Sequence, residues 1–296
     1  MGIYSHSRLS CFEDCPRRFY YRYVARVPAA WESVEAFVGK RVHEVLERLL
    51  LFVGRGQVPS LPAVLNRYQQ LWEEHFSPER VRVVRSETPL AFYREGGERC
   101  LANHYRRNYP FDADETISVE ERVTCTLDDA GRYQIQGFVD RLVRAPDGAL
   151  EIHDYKTSRR IPTQKVLDED RQLALYQLAV ERRFPEVPGV RLVWHYLYYG
   201  EVRISTRSAD QLKALRERTL ELIDSIEREE EFAARPNPLC QWCEYREGCP
   251  ASSFYRAEAS LSVPPLAKSA PPAPEPEIPV AAAPSTRAQL PLFSIT

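Results

Sequence analysis

The stretch Tyr133-Gln134-Ile135-Gln136-Gly137-Phe138-Val139-Asp140-Arg141, followed after a short link by Leu150-Glu151-Ile152-His153-Asp154-Tyr155-Lys156, sets the architecture of this chain. Both runs carry β-branched and aromatic residues and read as strands. The link Ala145-Pro146-Asp147-Gly148-Ala149 is hairpin punctuation around a proline and an Asp-Gly pair. Such a hairpin brings the ends of the two strands together, so Asp140 and Asp154 can face one another. Two neighbouring carboxylates repel unless a hard cation lies between them, and oxygen ligation suits Mg²⁺ or Mn²⁺. Lys156 lies two residues beyond Asp154, on the same strand face. Two acids and a lysine around such a cation suit phosphodiester hydrolysis. The metal offsets phosphate charge and lowers the pKa of its water, while the ammonium orients water and phosphate.

Upstream, Val38, Val42, Val45, Leu49 and Phe52 recur at helical spacing, so residues 36–53 read as an amphipathic helix with His43 beside its apolar stripe. Taken alone, that histidine fits a half-buried hydrogen-bonding side chain as well as a ligand. Downstream, Gln172 and Tyr176 lie four apart on a helical stretch, 168–184, and share a face. They follow the Asp-x-Lys strand as the helix of a βα unit would.

Gly137-x-Val139-Asp140-Arg141, Asp154-x-Lys156 and Gln172-x-x-x-Tyr176, in that order, resemble the PD-(D/E)XK nuclease superfamily, specifically its RecB-like and AddB-like exonuclease branch. A CRISPR-associated nuclease of the same superfamily is similar as well. The early-helix segment Gly39-Lys40-Arg41-Val42-His43-Glu44 and the opening segment Ser7-Arg8-Leu9-Ser10-Cys11-Phe12-Glu13-Asp14-Cys15-Pro16-Arg17-Arg18-Phe19-Tyr20 fit that branch, so the likeness spans about residues 5–250. It implies that Asp140 and Asp154 are metal ligands, joined by the backbone carbonyl of Tyr155, with His43 as a further ligand. It also implies Lys156 as the catalytic lysine, and Gln172 and Tyr176 as residues that contact DNA or buttress the site. The family often has Glu where this chain has the shorter Asp154.

Three of the seven cysteines form Cys240-x2-Cys243-x5-Cys249-Pro250. Spacing this tight wraps a metal or cluster more readily than it forms disulfides among neighbours. Nothing at the N-terminus reads as a secretory signal, so a cytoplasmic setting with reduced thiols is expected. Cys15 is the candidate for a fourth ligand, with Cys11, one helical turn earlier, as its rival. The resemblance implies a [4Fe-4S] cluster on Cys15, Cys240, Cys243 and Cys249, joining the N- and C-terminal segments. Zinc is the rival occupant, since four cysteines suit both.

Helices near 36–53, 62–76 and 91–109 precede strands near 117–127, 133–144 and 150–156. A helix at 168–184 then leads to strands near 190–199 and 201–206 and an acidic helix at 209–231. This order predicts an α/β fold, a restriction-endonuclease-like mixed central sheet flanked by helices, over residues 1–257. At 44% hydrophobic residues the chain can bury a full core, and no apolar run approaches a membrane span. A net charge of −2 argues against nonspecific coating of nucleic acid. Locally, Arg8, Arg17 and Arg18 with Tyr20 can hold phosphates and stack bases, or pack around the cysteines.

Residues 258–288 form a Pro/Ala-rich tether, with eight prolines between positions 261 and 288. Beyond it, Gln289-Leu290-Pro291-Leu292-Phe293 resembles the short peptide by which bacterial DNA-processing proteins dock on the sliding clamp. Leu290, Leu292 and Phe293 would enter a groove and Gln289 would make polar contacts. The expected function is a metal-dependent DNA nuclease, an exonuclease on single-stranded ends in repair or recombination. CRISPR spacer processing and a catalytically silent DNA-binding adaptor are the alternatives; the intact Asp140, Asp154 and Lys156 favour an enzyme. No G-x-x-x-x-G-K-[ST] phosphate loop is present, so a helicase partner would be a separate chain.

Overall fold

The computed structural model describes residues 2–251. The expected tether (258–288) and clamp-binding peptide (289–296) lie outside these residues. Strand β1 (Gly2–Tyr4) and helices α1 (His6–Asp14) and α2 (Pro16–Phe19) open the chain and run into a π-helical turn at Tyr20–Val24. Ser5 caps α1 by accepting from the Arg8 amide at 3.1 Å. Pro16 opens α2, where no amide is needed. Next come β2 (Glu32–Ser33), α3 (Val34–Val53), α4 (Leu61–His75), β3 (Val81–Arg82) and α5 (Leu90–Asn108). The remainder is β4 (Glu115–Thr126), β5 (Tyr133–Arg144), β6 (Leu150–Lys156), α6 (Gln164–Asp168), α7 (Gln172–Arg183), β7 (Val190–Tyr196), β8 (Glu201–Ser205), α8 (Ala209–Glu227) and two 3₁₀ turns, Pro238–Trp242 and Arg246–Gly248.

Six strands form one mixed sheet in the order β1-β5-β6-β7-β8, with β4 also on β5. The β5–β6 hairpin is antiparallel as predicted, and β6–β7 is parallel, joined by α6 and α7. Helices cover both faces, which is the expected α/β layering. On one side Val42, Leu46 and Leu49 of α3 pack with Tyr68, Leu71 and Leu101 of α4 and α5. On the other, Leu9, Phe19, Leu173 and Ile223 close over Ile152 and Trp194. Val38, Val42, Val45 and Leu49 are buried as the helical spacing predicts, while Phe52 is only half-buried. The helix expected at 168–184 is split, because Asp170 accepts from the Gln172 amide at 2.9 Å and restarts the chain as α7.

β5 places the site. β4 pairs along it from Gln134 to Arg144 and so occupies one edge. The other edge is shared: β1 pairs with Tyr133–Ile135 and β6 with Arg141–Arg144. Between them, residues 136–140 have no strand neighbour on that edge among the described residues. The ring of Tyr176 lies against this gap. A Cβ on Gly137 would come 2.1 Å from Cε1 of Tyr176, so only glycine admits the ring. We expect Gly137→Ala to cost roughly 1–3 kcal/mol through overpacking and to lower Tm by roughly 2–10 °C. Thermal melting checks this, and an unchanged Tm would show that Tyr176 can move aside.

Candidate active site

The ladder between β5 and β6 ends at Arg141 opposite His153. Continuing that register sets Asp140 opposite Asp154, but the strands part here. The Tyr155 amide donates to Asp140 Oδ2 at 2.7 Å in place of a β5 carbonyl. His43 reaches the fork from α3. Its Nε2 lies 2.7 Å from the Tyr155 carbonyl oxygen, and its Nδ1 lies 3.5 Å from Asp140 and 3.7 Å from Glu120. His43, Glu120 and Asp140 thus offer ligand atoms within 4.8 Å of one another.

Glu120 is the residue that sequence reasoning missed. The pairs Val119–Arg141 and Glu121–Val139 flank it, which sets it opposite Asp140. Its φ of 49° is in the left-handed region, a strain of roughly 1–3 kcal/mol that persists where the surroundings enforce it. The available signal was Glu120-Glu121, two adjacent acids that interrupt the alternation of a strand.

Asp154 is buried beside the fork. Its Oδ1 accepts from Lys156 Nζ at 3.0 Å and from Gln172 Nε2 at 3.1 Å, and Gln172 Oε1 accepts from Lys156 Nζ at 2.9 Å. Gln172 therefore orients both side chains. Asp154 Oδ2 lies 2.8 Å from the ammonium but out of hydrogen-bonding alignment, and it is buried without a hydrogen-bond partner. Tyr176 is buried against Gly137 of β5.

Burial opposes the charge of His43, but Asp140 and Glu120 outweigh it and hold the imidazole pKa well above its ordinary value. The same balance raises Lys156, with Asp154 and Asp140 overcoming desolvation. Burial pushes the Asp154 carboxyl up, against the pull of Lys156. The carboxylates of Glu120 and Asp140, the His43 imidazole and the Tyr155 carbonyl, with the orphaned buried oxygen of Asp154 beside them, suit a divalent cation. Its affinity should fall with pH, because His43 must lose its proton to become a ligand.

The remaining predicted residues divide. Arg8 and Tyr20 are buried, at 3% and 2% exposure, and Arg8 packs over the rings of Tyr4, Phe19 and Tyr23. These two belong to the core, which corrects their expected contact with DNA. Arg18 pairs with Glu244 at 2.9 Å, and the Arg17 guanidinium lies over Tyr20. Cys15, Cys240, Cys243 and Cys249 line one hollow together with Arg18 and Tyr21. The Arg235 amide donates to Cys15 Sγ and the Asn237 amide to Cys240 Sγ, each at 3.4 Å. Cys11, the rival ligand, is buried in the core, and burial pushes its thiol up to about 12. No cysteine forms a disulfide.

A forked mixed sheet carrying three acids, a lysine and a histidine defines a class of metal-using phosphodiester hydrolases. Residues 3–250 match the family model of the PD-(D/E)XK nuclease superfamily, and the chain belongs to that superfamily. Among solved structures it is similar to SSO0001, at 14% identity over 85% of this chain and 87% of that one, TM-score 0.39. It is also similar to a "Putative exonuclease" from Eubacterium rectale, at 13% identity over 81% and 86%, TM-score 0.46. No curated protein matches it. Among the described residues no helix is long and apolar enough to cross a membrane.

We expect Asp140→Asn, Asp154→Asn and Lys156→Ala each to slow DNA cleavage by roughly 10²–10³-fold or more, since each removes charge from the reacting centre. Gln172→Ala and Glu120→Gln should cost roughly 10–100-fold by disordering those groups or weakening the metal. Single-turnover assays in Mg²⁺ and Mn²⁺ measure this; parental rates for Glu120→Gln in both metals would remove Glu120 from the site.

Proposed function

We propose that this protein is a cytoplasmic DNA exonuclease that degrades single-stranded ends during repair or recombination. The observation that carries the reading is the fork itself, where His43, Glu120 and Asp140 converge by the Tyr155 carbonyl, with the Asp154–Lys156 pair on the adjoining strand. A bound Mg²⁺ or Mn²⁺ supplies charge neutralisation and an activated water. Lys156 is held as an ammonium, so it is not the base. It stabilises charge on the scissile phosphate and orients the attacking water, with Gln172 fixing its position. The preference for single-stranded ends rests on the likeness to RecB-like enzymes. A silent adaptor would have no need of Lys156 clamped between Asp154 and Gln172.

The test uses end-labelled single- and double-stranded DNA with Mg²⁺ or Mn²⁺. We expect short products released progressively from one labelled end of the single strand, and no cutting of a circular single strand. Linearised circles would replace the exonuclease reading with an endonuclease one.

We propose further that Cys15, Cys240, Cys243 and Cys249 hold a structural [4Fe-4S] cluster. The all-thiol donor set, the shared hollow and the amide-to-sulfur hydrogen bonds support it. Among the described residues no three thiols lie within 4.8 Å of one another. Protein purified without oxygen should be brown, and Cys15→Ser or Cys240→Ser should remove the colour while Cys11→Ser keeps it. Colourless protein with one stoichiometric zinc would overturn the cluster and keep the ligand set.

A further inference from the structure

The segment that leaves β6 carries Arg159, which meets aromatic rings of α5 and of the link between β7 and β8. The Cζ of Arg159, three residues after Lys156, lies 3.5 Å from the centre of the Phe92 ring and 4.4 Å from that of Tyr198. Arg99 lies 4.6 Å from the Tyr198 ring. The row these groups form is fixed through backbone. Arg159 Nη2 donates to the Phe92 carbonyl at 3.2 Å, Arg99 Nε to the Tyr198 carbonyl at 3.1 Å, and the Tyr199 hydroxyl to the Arg159 carbonyl at 3.0 Å. Inside α5 a glycine costs about 1 kcal/mol relative to alanine, yet Gly96 stands there. A Cβ on Gly96 would come 2.9 Å from Arg159 Nη2, so the glycine makes room for the guanidinium.

Two features set this row apart from an ordinary surface. Phe92 and Tyr199 remain 41% and 46% exposed although they are large rings. Arg99, Arg159 and the exposed Arg160 have no carboxylate within ion-pair distance among the described residues, whereas nearby Arg94 pairs with Glu73 at 3.7 Å. Partly exposed rings beside guanidinium groups that have no carboxylate partner match a single strand, whose bases stack on rings while its phosphates meet the cations. A duplex hides its base faces and cannot use the rings.

We propose that Phe92, Arg159, Tyr198 and Arg99 form a stacking platform for single-stranded DNA adjoining the scissile phosphate, an inference that rests on the nuclease reading above. Three residues of backbone span at most roughly 11 Å, so the Cα of Arg159 lies within that distance of the Cα of Lys156.

The experiment measures binding of a fluorescent oligothymidylate, and of its abasic counterpart, to the full chain by anisotropy in EDTA. Phe92→Ala should weaken binding of the base-bearing strand by about tenfold, the abasic strand by less than about twofold, and Phe92→Tyr should restore parental affinity. Arg159→Ala should lower the slope of log Kd against log salt by about 0.7, and Phe92→Ala should leave that slope unchanged. Parental affinity of both alanine variants for the base-bearing strand would overturn the platform and leave the rings to a protein partner. Equal losses on the two strands for Phe92→Ala would overturn it also, because stacking needs bases. Binding is read without metal, so a parent that binds in this way but cuts nothing refutes the nuclease reading alone.

Discussion

The Tyr155 amide donates to the carboxylate of Asp140 instead of to β5, and the active site depends on that departure from the ladder. A buried amide must find an acceptor, and a carboxylate is a stronger one than a carbonyl. Satisfying it with Asp140 lets the strands separate just past Arg141 and His153 without leaving an orphaned donor. The same bond holds Oδ2 of Asp140 in place and leaves Oδ1 towards His43. It also fixes the residue whose carbonyl faces His43 Nε2. One backbone group thus positions an acid, an imidazole and a carbonyl, and Asp154 and Lys156 take their places on the strand face beyond.

Beneath the fork, the Tyr155 side chain is anchored in a buried polar layer. Its ring packs against His104 and His195, with centroids 5.0 Å and 5.1 Å away. His195 Nε2 lies 2.9 Å from His153 Nδ1, and His153 Nε2 lies 2.9 Å from Glu151. Arg141, also buried, binds Thr116 at 2.9 Å and Asp114. Burial lowers the pKa of His153, His195 and His104, the last to about 3, which keeps these imidazoles neutral. Hydrogen-bonded partners in such a low-dielectric layer have few alternative arrangements, so it rigidifies the strand that presents the catalytic groups.

The residues of the fork were legible to different degrees for physical reasons. Asp140, Asp154 and Lys156 could be read because a regular strand alternates its faces, and the hairpin punctuation fixed the pairing. Gln172 was singled out by the family resemblance, helical spacing setting it only on one face with Tyr176, and its bridge between Asp154 and Lys156 is a tertiary fact. Glu120 was missed because a left-handed residue inside a strand breaks the alternation on which such a reading rests, leaving only the adjacent acids Glu120 and Glu121 as a sign. Arg8 and Tyr20 misled for the opposite reason. Arginine among tyrosines looks like a surface for phosphates, but three aromatic faces and the Ile3 carbonyl at 3.0 Å make burial of Arg8 tolerable. Composition does not distinguish rings that face a ligand from rings that face a core.

The thiol-lined hollow bears on the fork through β1. That strand has three residues and pairs with β5 over Tyr133–Ile135, just before the stretch in which Gly137 packs against Tyr176. Three residues cannot hold themselves in a sheet, so tertiary contacts keep β1 and the helices after it in place. The Tyr4 hydroxyl donates to Glu227 at 2.5 Å, the Asn237 side chain to the Asp14 carbonyl at 2.9 Å, and the Tyr245 hydroxyl to the Val27 carbonyl at 3.0 Å. Arg18 and Glu244 close the same seam. Each contact alone contributes little. Together they join the first and last described segments around the hollow, and through α1 and β1 they bound the gap in which Gly137 and Tyr176 support Asp140. Loosening that seam would therefore act on the geometry of the fork without touching a residue of the fork.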